Sequence, residues 1–266
     1  MKKVNFLFLL TVILASCSNN GKEDVSDGND SGSAPLINYS VKNVFPHDTA
    51  SFTEGFLVHD GQLYESTGGQ PPMPYKSFLG PVNMQTGIIS QKVILDTSYF
   101  GEGINIFKNK LYQLTWQNHK GFIYDLKTYK KIGEFTYNTE GWALTNDGTN
   151  LIMSDGSSNL QFLDPDSLKV VKIVGVMDNN GPVSNINELE YIRGFIYANK
   201  YGTTEILKID PASGKVVAKI DLRALDSQAK SKYPGALEMN GIAFDSASGK
   251  IYVTGKAWPH IYEVSW

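Results

Sequence analysis

Cysteine is almost absent from this chain. Its 266 residues include one, Cys17, which excludes an intrachain disulfide and a cysteine-based zinc site. Histidine is nearly as scarce: four are scattered along the chain, and that argues against a histidine-rich metal centre. There is no surplus of positive charge. Lys and Arg number 24 against 27 Asp and Glu, a formal charge of −3, whereas a nucleic-acid surface needs a basic patch. No apolar run reaches the ~20 residues that span a bilayer, and no amphipathic helix of ordinary length stands out. What the chain does have is 41% hydrophobic residues, 25 glycines and 12% aromatics. Tight turns between aromatic strands are the composition of an all-β protein.

The first residues read as an address rather than as structure. Lys2 and Lys3 precede the apolar run Phe6–Ala15, which leads into Leu14-Ala15-Ser16-Cys17. That ending resembles the lipobox of bacterial lipoproteins, in which the cysteine is acylated and becomes the mature N-terminus. The expectation is a signal peptide over 1–16, lipidation at Cys17, and a lipid-anchored place in the bacterial cell envelope, at the outer membrane. Between residues 18 and 35 only Val25 and Ala34 are apolar. Such a segment buries too little surface to order itself, so residues 17–35 read as a flexible tether and the folded body as 36–266. The lipid anchor is the sole membrane contact this implies.

The body repeats. Five segments share one pattern, a strand, a Gly/Asn/Asp turn and a second strand. They begin at Glu54-Gly55, Glu102-Gly103, Glu140-Gly141, Asn187-Glu188 and Asn240-Gly241. Third strands follow, such as Gly121–Asp125 and Glu205–Asp210, and then fourth strands, such as Val170–Val174 and Val216–Ile220. Residues 36–266 thus hold five units of about 46 residues each. Four antiparallel strands in that length is the signature of a propeller blade, and the fold expected is an all-β, five-bladed β-propeller. The fifth unit has only three strands of its own. The spare strand Tyr39–Phe45 is expected to complete it, so that the N-terminal strand closes the ring and no blade edge is left open there. A closed ring has no obligatory partner edge, so a monomer is the default.

Inner strands of a propeller run along the central axis, so their first residues crowd one mouth of the channel. Those positions are Glu54, Glu102, Glu140, Asn187 and Asn240. The second strands return to the same mouth at Gly68, Trp116, Gly156, Tyr201 and Lys256. Acids, amides, aromatics and one ammonium in a concave place suit binding or catalysis. A ring of carboxylates and amide oxygens also suits a structural Ca²⁺, although nothing in the pattern implies one.

Longer motifs surround these residues: Phe52-Thr53-Glu54-Gly55, Phe100-Gly101-Glu102-Gly103, Gln113-Leu114-Thr115-Trp116, Glu140-Gly141-Trp142, Asn187-Glu188-Leu189-Glu190-Tyr191 and Val253-Thr254-Gly255-Lys256. In this order they resemble the plant-type and bacterial glutaminyl-peptide cyclotransferases (glutaminyl cyclases). The resemblance implies a five-bladed propeller that turns the N-terminal Gln of peptides or proteins into pyroglutamate and releases ammonia, with no cofactor and no catalytic metal. It implies Glu102 as the acid/base, with Asn187 and Lys256 on the carboxamide or its oxyanion. Phe52, Phe100, Trp116 and Trp142 become aromatic walls, and Gly101 and Gly103 let substrate approach the backbone. Two positions depart from the family: Glu54 stands for its usual Gln and Tyr201 for its usual Trp. Glu54 either shares a proton with Glu102 or pairs with the substrate ammonium. The segment 68–82 also differs and is expected to reshape one side of the mouth. Two rival readings are a non-catalytic peptide- or glycan-binding surface propeller and a Ca²⁺-dependent hydrolase of the lactonase kind.

Overall fold

The structure, a computed structural model, describes Met1 and residues 34–266. The chain divides into two compact units, Met1–Ser31 and Gly32–Trp266, and the folded body is the second. The expected signal peptide, Cys17 and the tether up to residue 33 lie outside the described residues.

Five four-stranded antiparallel sheets make up the body. The chain enters on β1 (Ser40–Pro46), which belongs to the last blade. Blade 1 holds β2 (Thr53–His59), β3 (Gln62–Thr67), β4 (Phe78–Pro81) and β5 (Val93–Ile94). Blade 2 holds β6 (Gly101–Phe107), β7 (Lys110–Thr115), β8 (Lys120–Asp125) and β9 (Lys131–Thr136). Blade 3 holds β10 (Ala143–Asn146), β11 (Leu151–Ser154), β12 (Asn159–Leu163) and β13 (Val170–Gly175). A small hairpin, β14 (Met177–Asp178) and β15 (Gly181–Pro182), precedes blade 4. That blade holds β16 (Ile186–Ile192), β17 (Phe195–Lys200), β18 (Glu205–Ile209) and β19 (Val216–Asp221). Blade 5 holds β20 (Met239–Asp245), β21 (Lys250–Gly255) and β22 (His260–Ser265). Strand β1 pairs with β22, from Ser40 opposite Ser265 to Pro46 opposite His260, and supplies the missing fourth strand. Each inner strand touches the inner strand of the next blade, and β20 touches β2, so the ring closes.

The core lies between blades, where side chains from facing sheets interdigitate; Ile152, Leu160, Ile196 and Leu207 are fully buried there. Outer strands face water, and β13 is exposed at five of its six positions. A buried ion pair pins the closing seam. His47 Nε2 lies 3.1 Å from Glu65 Oε1 with both side chains fully buried, and Thr53 donates its hydroxyl to the same carboxylate at 2.7 Å.

Two local features differ from the sequence expectation. A ten-residue helix, α1 (Arg223–Lys232), connects β19 to β20. Only Leu225, Asp226 and Ala229 of it are buried. That apolar stripe is too narrow to register as an amphipathic pattern, although the Lys230–Asp226 pair at 2.8 Å supports it. At the N-terminal edge, Ala34 is buried and Pro35 accepts a hydrogen bond from Lys219 N–H at 2.9 Å. The last two residues of the expected tether therefore lie against the outer strand of blade 4.

Candidate active site

Four inner strands carry a bulge near their first residues. Between Thr53 and Gly55, β2 advances two residues while β3 advances one, from Thr67 to Ser66. The same single extra residue appears between Gly101 and Ile104, Ile186 and Leu189, and Met239 and Ile242. A bulge bends the strand and re-aims a side chain that a regular pleat would send to a sheet face. The residues inside these four bulges include Glu54, Glu102, Asn187 and Asn240. In blade 3 the regular strand starts only at Ala143, which leaves Glu140 and Trp142 on the approach to it.

A cavity of about 250 Å³ opens at this mouth, lined by Phe52, Glu54, Met73, Phe100, Glu102, Trp116, Trp142, Asn187, Tyr201 and Lys256. All nine of the site residues named from the sequence, other than Cys17, are therefore brought together. A larger groove, of about 530 Å³, runs past Gln62, Met84 and Tyr252, but its only carboxylate is Asp245 and no ammonium faces it. Of these two, the smaller cavity is the one where acids and an ammonium converge.

Its base is built by Glu54, Glu102, Asn187 and Lys256. Lys256 donates to Glu54 Oε1 at 2.7 Å, and Asn240 Nδ2 donates to Glu54 Oε2 at 3.1 Å. The ammonium also lies 4.3 Å from the Phe52 ring centroid and 5.5 Å from that of Tyr201. Burial pushes the Glu54 carboxyl up to about 7 against the pull of Lys256, and the adjacent anions hold the Lys256 ammonium above its ordinary range. Glu102 is different in kind. Its carboxyl makes no hydrogen bond to a described residue. Burial, and then the nearby Glu54 charge, push it well above the usual carboxylate range. The buried Asn187 Oδ1 has no hydrogen-bond partner either. Two groups at the base are thus desolvated and unspent.

The walls are aromatic and mutually braced. Phe52 meets Phe100 edge-on at 6.0 Å, Phe100 meets Trp116 at 5.7 Å, and Trp142 meets Tyr201 at 5.7 Å. Glu140 does not line the cavity; it holds the walls. One of its oxygens accepts the indole N–H of Trp116 at 2.7 Å and of Trp142 at 2.8 Å, and the other accepts Gln117 Nε2 at 2.9 Å. These three donors keep its carboxyl below the ordinary range despite partial burial. Gly68 and Gly156 make room for the rings: a Cβ at Gly68 would sit 2.1 Å from Phe100, and one at Gly156 would sit 2.4 Å from Trp142.

The glycines beside Glu102 correct the sequence reading. A Cβ at Gly103 would sit 2.5 Å from Ala143 Cα, and one at Gly101 would sit 3.0 Å from the Gln113 side chain and from Thr67 O. The space beside them is filled by the body itself, so they allow close packing rather than approach of a substrate. Asn240 serves Glu54 from behind and does not line the cavity. Met73 was not foreseen. The only signal was that segment 68–82 borders the mouth, and no pattern says which of its side chains turns inward. Among the described residues, no three His, Cys, Asp or Glu side chains gather as metal ligands.

A family model described as glutamine cyclotransferase matches residues 8–266. The chain belongs to the glutamine cyclotransferase family. It is 36% identical over 245 residues to a glutaminyl-peptide cyclotransferase of Arabidopsis thaliana, covering 89% of this chain and 75% of that protein. It is 35% identical to the glutaminyl cyclase of Myxococcus xanthus, whose crystal structure superposes with a TM-score of 0.78, covering 85% of this chain and 95% of that one. Glu54 and Tyr201, the two positions read from the sequence as departures, meet at one atom: Glu54 binds the Lys256 ammonium and Tyr201 presents its ring to it.

Proposed function

We propose that this propeller converts the N-terminal glutamine of peptides or proteins into pyroglutamate and ammonia, with Glu102 moving the proton. Membership of the family makes glutamine cyclisation the activity of the chain. The observation that supports the assignment to Glu102 is a buried carboxyl with a raised pKa and no hydrogen bond to a described residue, in a cavity with Lys256, Asn187 and aromatic walls.

The reaction needs no nucleophile from the protein. The substrate α-amine attacks the γ-carboxamide carbon, the new C–N bond forms, and the carbonyl oxygen becomes an oxyanion. Glu102 takes a proton from the attacking nitrogen and returns it to the leaving one; the old C–N bond then breaks and ammonia departs. Burial and the Glu54 charge raise the Glu102 pKa above the usual carboxylate range, which makes the carboxyl a better proton carrier than an exposed one. Lys256 and the Asn187 amide are the groups at hand for the carboxamide and its oxyanion. Because Lys256 rests on Glu54, substrate binding re-partitions that ammonium between Glu54 and the oxyanion. The walls hold the folded, ring-like conformer, and orientation of this kind supplies much of the rate in an intramolecular attack.

Ammonia release from a Gln-initiated dipeptide, compared between the native chain and Glu102→Gln, tests the assignment. A variant as fast as the native chain would remove Glu102 from the mechanism. Tight binding of Gln peptides without turnover by the native chain would instead favour a binding propeller. The chemistry as written uses no cofactor, and turnover in the presence of a strong chelator is the expected result, against the lactonase-type rival.

Two further readings come from the sequence. Lipidation at Cys17 in a bacterial envelope is supported by the Leu14–Cys17 ending alone, and labelling with a fatty-acid analogue, lost in Cys17→Ser, tests it. A monomer is supported by ring closure through β1, and light scattering of the purified body tests it.

A further inference from the structure

The cavity is polar at its base and apolar at its rim. Glu54, Glu102, Asn187 and Lys256 are at most 5% exposed, whereas Met73, Trp116 and Tyr201 are 38%, 36% and 39% exposed. The proposed chemistry takes place at the base and uses only the amine and carboxamide of the first residue. The rest of the peptide leaves past the rim.

The lining offers no free cation. Lys256 is the only cation among the lining residues, and it lies inside, tied to Glu54 at 2.7 Å. Glu140 stands behind the rim tryptophans and is kept ionised by its three donors. A carboxylate arriving at the rim therefore finds no free cation in the lining, and an anion behind Trp116 and Trp142. An apolar side chain arriving there meets a flexible thioether and two aromatic rings, surfaces that adapt to apolar groups of varied shape. Met73 lies two residues from Tyr75, whose ring packs on Phe52 at 5.0 Å, so this part of the rim is anchored to the wall.

We propose that Met73, Trp116 and Tyr201 form a subsite for the second residue of the substrate, one that selects apolar side chains and disfavours an acidic side chain or a free α-carboxylate. Peptides that begin Gln-Leu are then favoured over peptides that begin Gln-Glu and over free glutamine. This rests on the cyclotransferase reading and adds the class of substrate.

The test measures kcat/KM of the full chain for Gln-Leu-amide, Gln-Glu-amide and free glutamine, with the C-terminal amide removing a second carboxylate. The leucine peptide is expected to exceed the glutamate peptide by roughly 10-fold or more, the scale of a single side-chain discrimination. Met73→Ser should shrink that ratio. Met73→Lys should raise the glutamate peptide relative to the leucine peptide by roughly 10-fold, a gain that misfolding cannot mimic. Equal values for the two peptides in the native chain, or a ratio unmoved by Met73→Lys, would overturn the subsite. If the native chain cyclises none of the three, the cyclotransferase reading falls. Equilibrium binding of the same two peptides then still decides the subsite, which stands only if the leucine peptide binds more tightly.

Discussion

Two sets of buried carboxyl groups lie along the inner strands, one at the mouth and one deeper. At the mouth stands Glu102; deeper along β16 stand Glu188 and Glu190. Burial raises all three, Glu102 and Glu188 well above the ordinary range and Glu190 to about 8. Their partners differ completely. Glu188 of blade 4 accepts the Phe56 amide of blade 1 at 3.2 Å and the Ile242 amide of blade 5 at 2.8 Å. Glu190 accepts the Phe244 amide at 2.8 Å and the Thr145 hydroxyl at 3.3 Å. These two are joints between blades. Glu102 has no such bond and faces a cavity. A perturbed pKa therefore does not separate the proposed acid from the structural ones in this protein; the unspent hydrogen-bonding capacity does.

Substitutions can break this contrast. The largest expected effect is Glu102→Gln, with a fall in kcat of roughly 10²–10⁴-fold and a melting temperature close to that of the native chain. A comparable fall on Glu188→Gln, with folding intact, would erase the distinction. Glu188→Ala should instead cost stability, on the order of 2–5 kcal/mol, because two interior amides lose their acceptor. Denaturant titration measures that, and activity per folded molecule should survive.

Glu140 sharpens the comparison as a third kind of carboxylate, ionised and fully bonded. Glu140→Gln puts an NH₂ where at least one donor now binds. A loss of up to about 100-fold in kcat/KM is expected, the scale of a small misplacement of substrate. Two of the four indole N–H resonances, assigned by Trp116→Phe and Trp142→Phe, should move. A loss of activity with all four resonances unmoved would separate Glu140 from the walls.

The smallest effect is on pH dependence. An acid whose folded pKa lies above its unfolded value binds its proton more tightly when folded, so its contribution is complete below the unfolded pKa and is lost as pH rises. For Glu190 that window runs from 4.5 to about 8. Stability should fall across it, and Glu190→Gln should make the slope shallower, read from melting temperatures at several pH values. An unchanged slope would mean that Glu190 titrates alike in both states.

Much of this was legible along the chain because it depends on pattern. The repeats that open on Glu or Asn mark the inner strands, and their spacing sends Glu54, Glu102 and Asn187 to one mouth, with Trp116, Tyr201 and Lys256 returning beside them. Helix α1 was not legible, since two buried apolar side chains carry it. Met73 was not, since a loop has no period to read. The glycines at 101 and 103 were legible as close-approach positions but not for what approaches them, because Gly101 meets both its partner strand and blade 1 while Gly103 meets blade 3.

Period, turn chemistry and residue type are local properties, so the amino-acid order by itself determined the blade count, the ring closure through residues 40–46 and all of the cavity lining except Met73. Bond formation between distant residues is not local. Only the tertiary structure decided that Lys256 rests on Glu54, that Glu140 ties two indoles, and that Glu102, alone of the buried acids on the inner strands, bonds to no described residue. Those outcomes turn on bulges that insert one residue into an inner strand and on contacts between blades, neither of which the repeat encodes.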